Sequence, residues 1–429
     1  MKIEVGFGSG TQSLEMDNSN LLGILLPDTS MEMENEEVIV RNAMEHPIGS
    51  HRLSKIVYSG QTVAVVTSDI TRPVPSKLLL PFVLNELNAG GVRDEDITVV
   101  FALGIHRKHT EEEQRRLVGD DIFDRVRCMD GDKDDCVDLG VTSRGTPVNI
   151  TRIVAEADVR VCLGNIEFHY FAGYSGGAKA IMPGVSDRNA IQKNHRLMVM
   201  PEACAGRIEG NPIRQDIEEA AAICGVDFIL NVILDEHKRI VGAVAGNVTD
   251  AHRKGCLILD SMYSCRMDRK ADIVIVSQGG TPKDINLYQT QKALDNAKNA
   301  VRDGGIIILV GSCKEGFGEK VFEEWMLTSP SPEYMIERIS RDFQLGGHKA
   351  ASIAMVLVRA RIYLVSDMDK DTVKRIFMEP FMSVQEAYNA ALMEIPIRIF
   401  DSSIFETTKI AERNPCYLCA RMRRGFLYD

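Results

Sequence analysis

The stretch DITVVFALGIHRKHTEEEQRRLV, Asp96 to Val118, changes character partway along. Ile97 to Leu103 is a short run of β-branched and aromatic residues and reads as a strand. Gly104 to His109 breaks it with a glycine and two histidines. Thr110 then stands directly before three glutamates, the order of an N-cap followed by a first turn whose acids suit the helix dipole. Strand, polar loop and helix follow one another. The order returns in TVAVVTSDITRPVP, where Val63 to Val66 reads as strand and Pro73 and Pro75 delay the helix. ADVRVCLGNIEFHYFAG and ADIVIVSQGGTPKDINLYQTQKALDNAKNAV repeat it, and GGIIILVGSCKEGFG and ARIYLVSDMD complete the set. Such alternation predicts an α/β protein with mainly parallel, Rossmann-like sheets, whose chemistry collects at the carboxyl ends of the strands.

The chain has 429 residues, too many for one compact core, so two α/β domains are expected. A basic polar patch in SMYSCRMDRKAD, Ser261 to Asp272, precedes a fresh strand and sets the expected boundary. The N-terminal domain would span 1–269 and the C-terminal α/β domain 270–429. Hydrophobic residues make up 45% and charged residues 26%, the balance of a soluble globular protein. A net charge of −11 repels nucleic-acid phosphate, so no nucleic-acid partner is expected. No long apolar span occurs, and the start lacks the order of a secretory signal, so a cytoplasmic protein without membrane attachment is expected. Of ten cysteines, only Cys416 and Cys419 form a C-x-x-C, which without a second pair is an incomplete zinc site. Most of the others read as small buried residues in a reducing compartment. GFGSG, Gly6 to Gly10, lacks the third glycine of a dinucleotide fingerprint and reads as a hairpin.

Residues with chemical potential gather in the loops. Asp69 and Arg72 follow the first clear strand, His106 and His109 follow the second, and His169 follows VCLGN. Histidines at the ends of separate strands are candidates for a paired acid and base, because imidazole exchanges protons near neutral pH. YSGGAKA, Tyr174 to Ala180, could turn the amides of Gly176 and Gly177 toward an anion, or could be a turn serving no ligand. It is neither a Walker A loop nor the SGG-x-D-S loop of pyrophosphatases. His195, in IQKNHR, could join the histidines or bind a metal through neutral imidazole, although no zinc-type histidine spacing is present. Tyr288, Gln289 and Lys292 fall on one early helical face, where a cation beside directional donors suits a carboxylate or phosphate.

Taken as a series, SDITRPVP, ALGIHRKHT, GNIEFHYFAGYSGGAKAIMPGVS, QKNH, QGGTPKDINLYQTQKAL, EGFGEKVFEEW and LGGHKA resemble the nickel-pincer-nucleotide lactate racemases, in order and spacing, to about residue 365. The resemblance implies a nickel-dependent racemase or epimerase of a 2-hydroxy acid, with its active site in the cleft between the domains. It implies that Lys179 carries the cofactor, a pyridinium bisthiocarboxylate-type mononucleotide, through a thioamide bond, with Gly176 and Gly177 letting the backbone approach it. His195 would be the single protein ligand of nickel (Ni). His106 and His169 would be the bases on opposite faces of the substrate. Arg72, Gln289 and Lys292 would hold the carboxylate and orient the hydroxyl, with Asp69 and Tyr288 in support. Hydride transfer to the cofactor would avoid a carbanion beside a carboxylate. Cofactor-biosynthesis and nickel-insertion proteins are the implied partners.

Two departures adjoin the candidate bases: Phe168 stands where the family often has proline, and Ile105 where threonine is common. The tail NPCYLCARMRRGFLYD, Asn414 to Asp429, resembles a segment of tRNA-thiolating enzymes whose remaining domain is absent, and reads as a solvated, poorly ordered terminus. An NAD-type dehydrogenase and a non-catalytic small-molecule binder on the same scaffold are the alternative functions.

Overall fold

The computed structural model describes residues 1–25, 34–235, 237–264, 267 and 269–395, and the backbone of 417–421. The chain forms two compact units: the described residues of 28–264, and those of 1–27 together with 265–424. Both are α/β, as the alternating pattern predicts.

The unit within 28–264 is built on a six-strand sheet. Its order is Ile240–Gly246, Phe228–Leu234, Val159–Asn165, Val63–Ser68, Ile97–Ala102 and Arg127–Asp130. All neighbours are parallel except the edge strand Ile240–Gly246. Val63, Val65, Val99, Phe101, Val161 and Leu163 are buried in one cluster, which explains why these strands lack polar alternation. Helix Ser76–Ala89 starts directly after Pro75 and adds Leu79, Leu80, Val83, Leu84 and Leu87 to that core, a stripe at helical spacing. Helix Glu111–Val118 begins with a capping box in which Thr110 and Glu113 satisfy each other's backbone N–H groups.

From Val63–Ser68 the chain builds outward in one direction through Ile97–Ala102 and Arg127–Asp130. It then returns to add Val159–Asn165 on the other side. The gap between Val63–Ser68 and Val159–Asn165 is therefore a topological switch point. At such a point the loops leaving neighbouring strands diverge and open a crevice at their carboxyl ends.

The other unit centres on parallel strands Ala271–Ser277, Val301–Val310, Arg361–Val365 and Glu379–Phe381. Here the expected domain 1–269 is corrected. The antiparallel hairpin Lys2–Phe7 and Gly10–Glu15 packs Ile3, Val5, Leu14 and Met16 against Ile273, Ile275, Ile306, Ile308 and helix Val384–Glu394. A two-stranded hairpin cannot bury its own apolar face, and this sheet supplies the cover. Within the hairpin, a Cβ on Gly6 would lie 2.6 Å from the Gly279 carbonyl carbon, so GFGSG owes this glycine to a close backbone crossing.

Tyr417–Arg421 forms a parallel strand between Ala271–Ser277 and Leu21–Ile24. Cys416, Arg423 and Arg424 lie outside the described residues. Cys162, Cys224, Cys256 and Cys313 are buried free thiols, and Cys128, Cys136 and Cys204 are half-buried free thiols.

Candidate active site

Three loops leave the carboxyl ends of adjacent strands beside the switch point: Asp69 and Arg72 after Val63–Ser68, His106 after Ile97–Ala102, and His169 after Val159–Asn165. The first two are joined. Asp69 is almost wholly buried, and its Oδ2 lies 2.6 Å from His106 Nδ1. Its Oδ1 accepts from Thr71 Oγ1 at 2.7 Å and from the Thr71 amide at 3.3 Å. Burial pushes the Asp69 carboxyl up, but the hydrogen bond and charge of His106, the Thr71 hydroxyl and the Arg72 cation outweigh it and hold the group below the ordinary carboxylate value. An ionised Asp69 can only accept. When neutral, His106 therefore carries its proton on Nδ1 and its lone pair on Nε2.

His109 has a different task. Its Nδ1 bonds Asp130 at 2.6 Å and its Nε2 accepts from the Ile70 amide at 3.1 Å, so this buried ring fastens the loop bearing Asp69. Asp130 was not singled out in the sequence. It ends the strand Arg127–Asp130, and only the pairing of that strand with Ile97–Ala102 brings it to His109.

His169 lies on a two-residue antiparallel ladder with Gly173, and its Nδ1 accepts from the Ala172 amide at 3.2 Å. Its proton then resides on Nε2 when the ring is neutral, the reverse of His106. Phe171 gathers the other candidates: its ring centroid lies 4.4 Å from that of His169 and 4.9 Å from that of His195, with Lys179 Nζ 6.0 Å away. Three residues predicted separately thus surround one aromatic ring.

Buried side chains that sequence reading missed hold the lysine loop. Gly176 and Gly177 have positive φ values of 74° and 58°. A Cβ on Gly176 would sit 2.7 Å from Asn231 Oδ1, and one on Gly177 2.8 Å from His252 Cδ2. The protein itself therefore requires both glycines, and their approach to a cofactor would come on top of that. Asn231 Oδ1 accepts from the Gly177 amide at 2.6 Å, and His252 Nε2 donates to the Ser175 carbonyl at 2.8 Å. Burial, with the Arg214, Arg253 and Lys179 charges, pushes His252 well below the ordinary histidine value and keeps it neutral. The fully buried Arg214 donates to the Ala172 carbonyl at 3.1 Å and to the Tyr174 carbonyl. A charge inside an apolar helix face was the one available signal, in PIRQDIEEAA.

Tyr288, Gln289 and Lys292 belong to the other unit. Helix Leu287–Thr290 is capped by Asn286 and tightens into a 3₁₀ turn at Gln291–Ala293. The Lys349 ammonium lies 4.0 Å over the Tyr288 ring.

Among the described residues, no group of three or more His, Cys, Asp or Glu side chains could hold a metal ion. A metal at His195 would have to bring most of its donors with it. That donor set fits a metal already seated in an organic ligand. Beside His195, Arg196 Nε is buried with no hydrogen-bond partner among the described residues, a cationic donor of the kind a nucleotide phosphate satisfies.

A mainly parallel sheet with histidines in the loops at the carboxyl ends of its strands defines a protein of the α/β class. The comparisons place it within that class. Residues 7–206 match the lactate racemase N-terminal domain and residues 267–398 the lactate racemase C-terminal domain. The chain is 34% identical over 401 residues to the lactate racemase of Thermoanaerobacterium thermosaccharolyticum, covering 91% of this chain and 94% of that one. It is 31% identical over 402 residues to the lactate racemase of Lactiplantibacillus plantarum, with the same coverage. The structure of the T. thermosaccharolyticum lactate racemase apoprotein superposes with a TM-score of 0.82 at 33% identity, over 92% of this chain and 96% of that one. A Thermotoga maritima protein, 18% identical with a TM-score of 0.59, shares the fold. The chain belongs to the lactate racemase family and is an isomerase. Among the described residues, no helix is long and apolar enough to cross a membrane.

Proposed function

We propose that the chain interconverts the enantiomers of a 2-hydroxy acid, lactate or a close relative, with a nickel-pincer nucleotide tethered to Lys179 and its nickel bound by His195. One observation carries the reading: His106 and His169 follow the two strands that flank Val63–Ser68, at the carboxyl ends of the sheet, and their hydrogen bonds leave a lone pair on Nε2 of neutral His106 and a proton on Nε2 of neutral His169. The hydroxyl of a 2-hydroxy acid points in opposite directions in the two enantiomers. One face therefore needs a group to take the hydroxyl proton while the other needs a group to return one. His106 and His169 fill those two roles and exchange them for the reverse reaction. Asp69 stays ionised beside His106 and stabilises its imidazolium form.

When bound, the nucleotide supplies a hydride acceptor and so spares the reaction a carbanion beside a carboxylate. Arg72 presents a guanidinium to the substrate carboxylate, with Gln289 and Lys292 orienting the hydroxyl and Tyr288 in support. Proteins that make the cofactor and insert nickel are the expected partners, and the free thiols fit a cytoplasmic setting. The dehydrogenase alternative has lost its one glycine-rich candidate, since Gly6–Gly10 lies in the N-terminal hairpin.

The test is protein co-expressed with the cofactor's biosynthetic enzymes, analysed by intact-mass spectrometry, nickel content and chiral chromatography of enantiopure 2-hydroxy acids. A mass increase on Lys179, about one nickel per chain, and racemisation of at least one acid are expected. Unmodified protein with full activity would overturn the cofactor assignment. Loaded protein inert toward all such acids would overturn the substrate class.

A further inference from the structure

His195 ends helix Arg188–His195, and its Nδ1 lies 3.2 Å from the Oδ1 of its neighbour Asn194. Asn194 is completely buried. Its Nδ2 lies 2.8 Å from Asp216 Oδ2 and 3.4 Å from the Ile213 carbonyl oxygen. Asp216, also completely buried, takes the Thr142 hydroxyl on Oδ1 at 2.6 Å and the Thr146 hydroxyl on Oδ2 at 2.8 Å. Thr142 in turn accepts from the Thr146 amide at 3.1 Å. The cluster ties together the turn that follows strand Cys136–Val141, helix Pro212–Cys224 and helix Arg188–His195.

The orientation of the Asn194 amide follows from these partners. A carbonyl oxygen can only accept, and a carboxylate oxygen already receiving hydroxyl protons is an acceptor too, so the NH2 end must face Asp216 and Ile213. The oxygen end is left facing His195. A ring nitrogen beside a carbonyl oxygen must be the protonated one. The proton of neutral His195 is therefore on Nδ1, and its Nε2 carries a lone pair.

We infer that Asp216 and Asn194 form a buried relay that sets the tautomer and aim of His195, preparing Nε2 as a ligand atom before any metal arrives. They are positioning residues, since neither is placed against substrate or cofactor. Partners of this kind, behind a metal-binding histidine, raise ligand basicity and fix the ring, and their loss costs about 10–100-fold in metal affinity. The relay explains why a polar side chain stands at 194 in a helix whose other buried positions there, Ala190 and Ile191, are apolar. The part concerning metal rests on the proposed nickel site; the tautomer does not.

The experiment separates the two. Long-range ¹⁵N–¹H correlation spectra of the metal-free full-length protein, labelled at histidine, report which ring nitrogen is protonated, and the His195 signals are assigned by their absence in His195→Gln. Wild type should show Nδ1–H. An Nε2–H ring in wild type would overturn the relay whatever the nickel result. Asn194→Leu should abolish the Nδ1–H preference, and Asp216→Asn, a smaller change, should weaken it by letting the 194 amide turn over. Variants that kept a pure Nδ1–H ring would overturn the inference. In co-expressed protein, Asn194→Leu should lower the affinity for nickel about 10–100-fold, read by competition with a chelator. Nickel retained equally by wild type and His195→Gln would refute the metal site while leaving the tautomer result standing.

Discussion

In an Asp69→Asn variant the new amide has one orientation open to it. Thr71 donates to Oδ1 through both its hydroxyl and its backbone amide, so that position must remain an oxygen. The nitrogen then takes the place of Oδ2, 2.6 Å from His106 Nδ1, and donates to it. The His106 proton is driven to Nε2, where the lone pair is needed. Two losses combine. A hydrogen bond to a charged group contributes about 1.5–3 kcal/mol, which is about 10–100-fold in rate at roughly 1.4 kcal/mol per decade. Reversing the tautomer of a catalytic histidine through the same Asp-to-Asn change costs about 10⁴-fold in the serine protease triad. We expect kcat to fall about 10²–10⁴-fold, with KM changed little because Arg72 and the other groups proposed to hold the carboxylate are retained. Enantiomers are equally stable in an achiral solvent, so kcat/KM must fall by the same factor from either one. Initial rates from each pure enantiomer, followed by chiral chromatography, measure it. A variant keeping half of wild-type activity would refute the dyad. An Asp69→Ala variant more damaged than Asp69→Asn would refute the tautomer argument.

Other expectations follow from the same geometry. Gly177→Ala places a Cβ 2.8 Å from His252 Cδ2 at a φ of 58°. Left-handed backbone costs about 1–2 kcal/mol and overpacking about 1–3 kcal/mol, so thermal unfolding should shift down by several degrees; an unchanged Tm would show that the turn relaxes freely. His109→Phe keeps the edge-on packing against Phe101 but strands Asp130 Oδ1 and the Ile70 amide, while the residue-109 amide still donates to Asp130 Oδ2. It should cost about 1–3 kcal/mol in urea unfolding and lower activity through the Asp69 loop, and full activity would argue against that coupling. Stability should decline with acid in two steps. His252 stays neutral in the fold, so below the ordinary histidine value of 6.5 the unfolded chain binds the proton first and stability falls as pH drops toward the depressed native value. Asp69 is held below 3.8, so its contribution is complete above that value and disappears as pH falls through the lower native one. Unfolding midpoints from pH 8 to pH 3, with His252→Gln as the reference for the first step, would expose the wrong sign in either case.

Much of the protein was legible in the chain. Uninterrupted apolar runs such as Val63–Val66 announce strands buried on both faces, and Thr110 before three glutamates announces a capped helix, because both signals depend on neighbours within a few residues. The motif series carried the family. The path of the first 25 residues was not legible, since a hairpin of alternating residues says only that one face needs cover, and that cover comes from strands some 270 positions further on. Nor was Asp130, Asn231 or Asp216, each of which matters through a partner distant in sequence.

The division follows from the range of the forces. Sequence alone determined which segments become strands and helices and which histidines, arginine and lysine stand in their loops, because propensity, capping and periodicity act locally. The tertiary structure decided which nitrogen of His106 and of His195 bears the proton in the neutral ring. Asp69 reaches His106 from the loop after a neighbouring strand, and Asp216 on another helix turns the Asn194 amide whose oxygen meets His195, partners that only packing brings within about 3 Å.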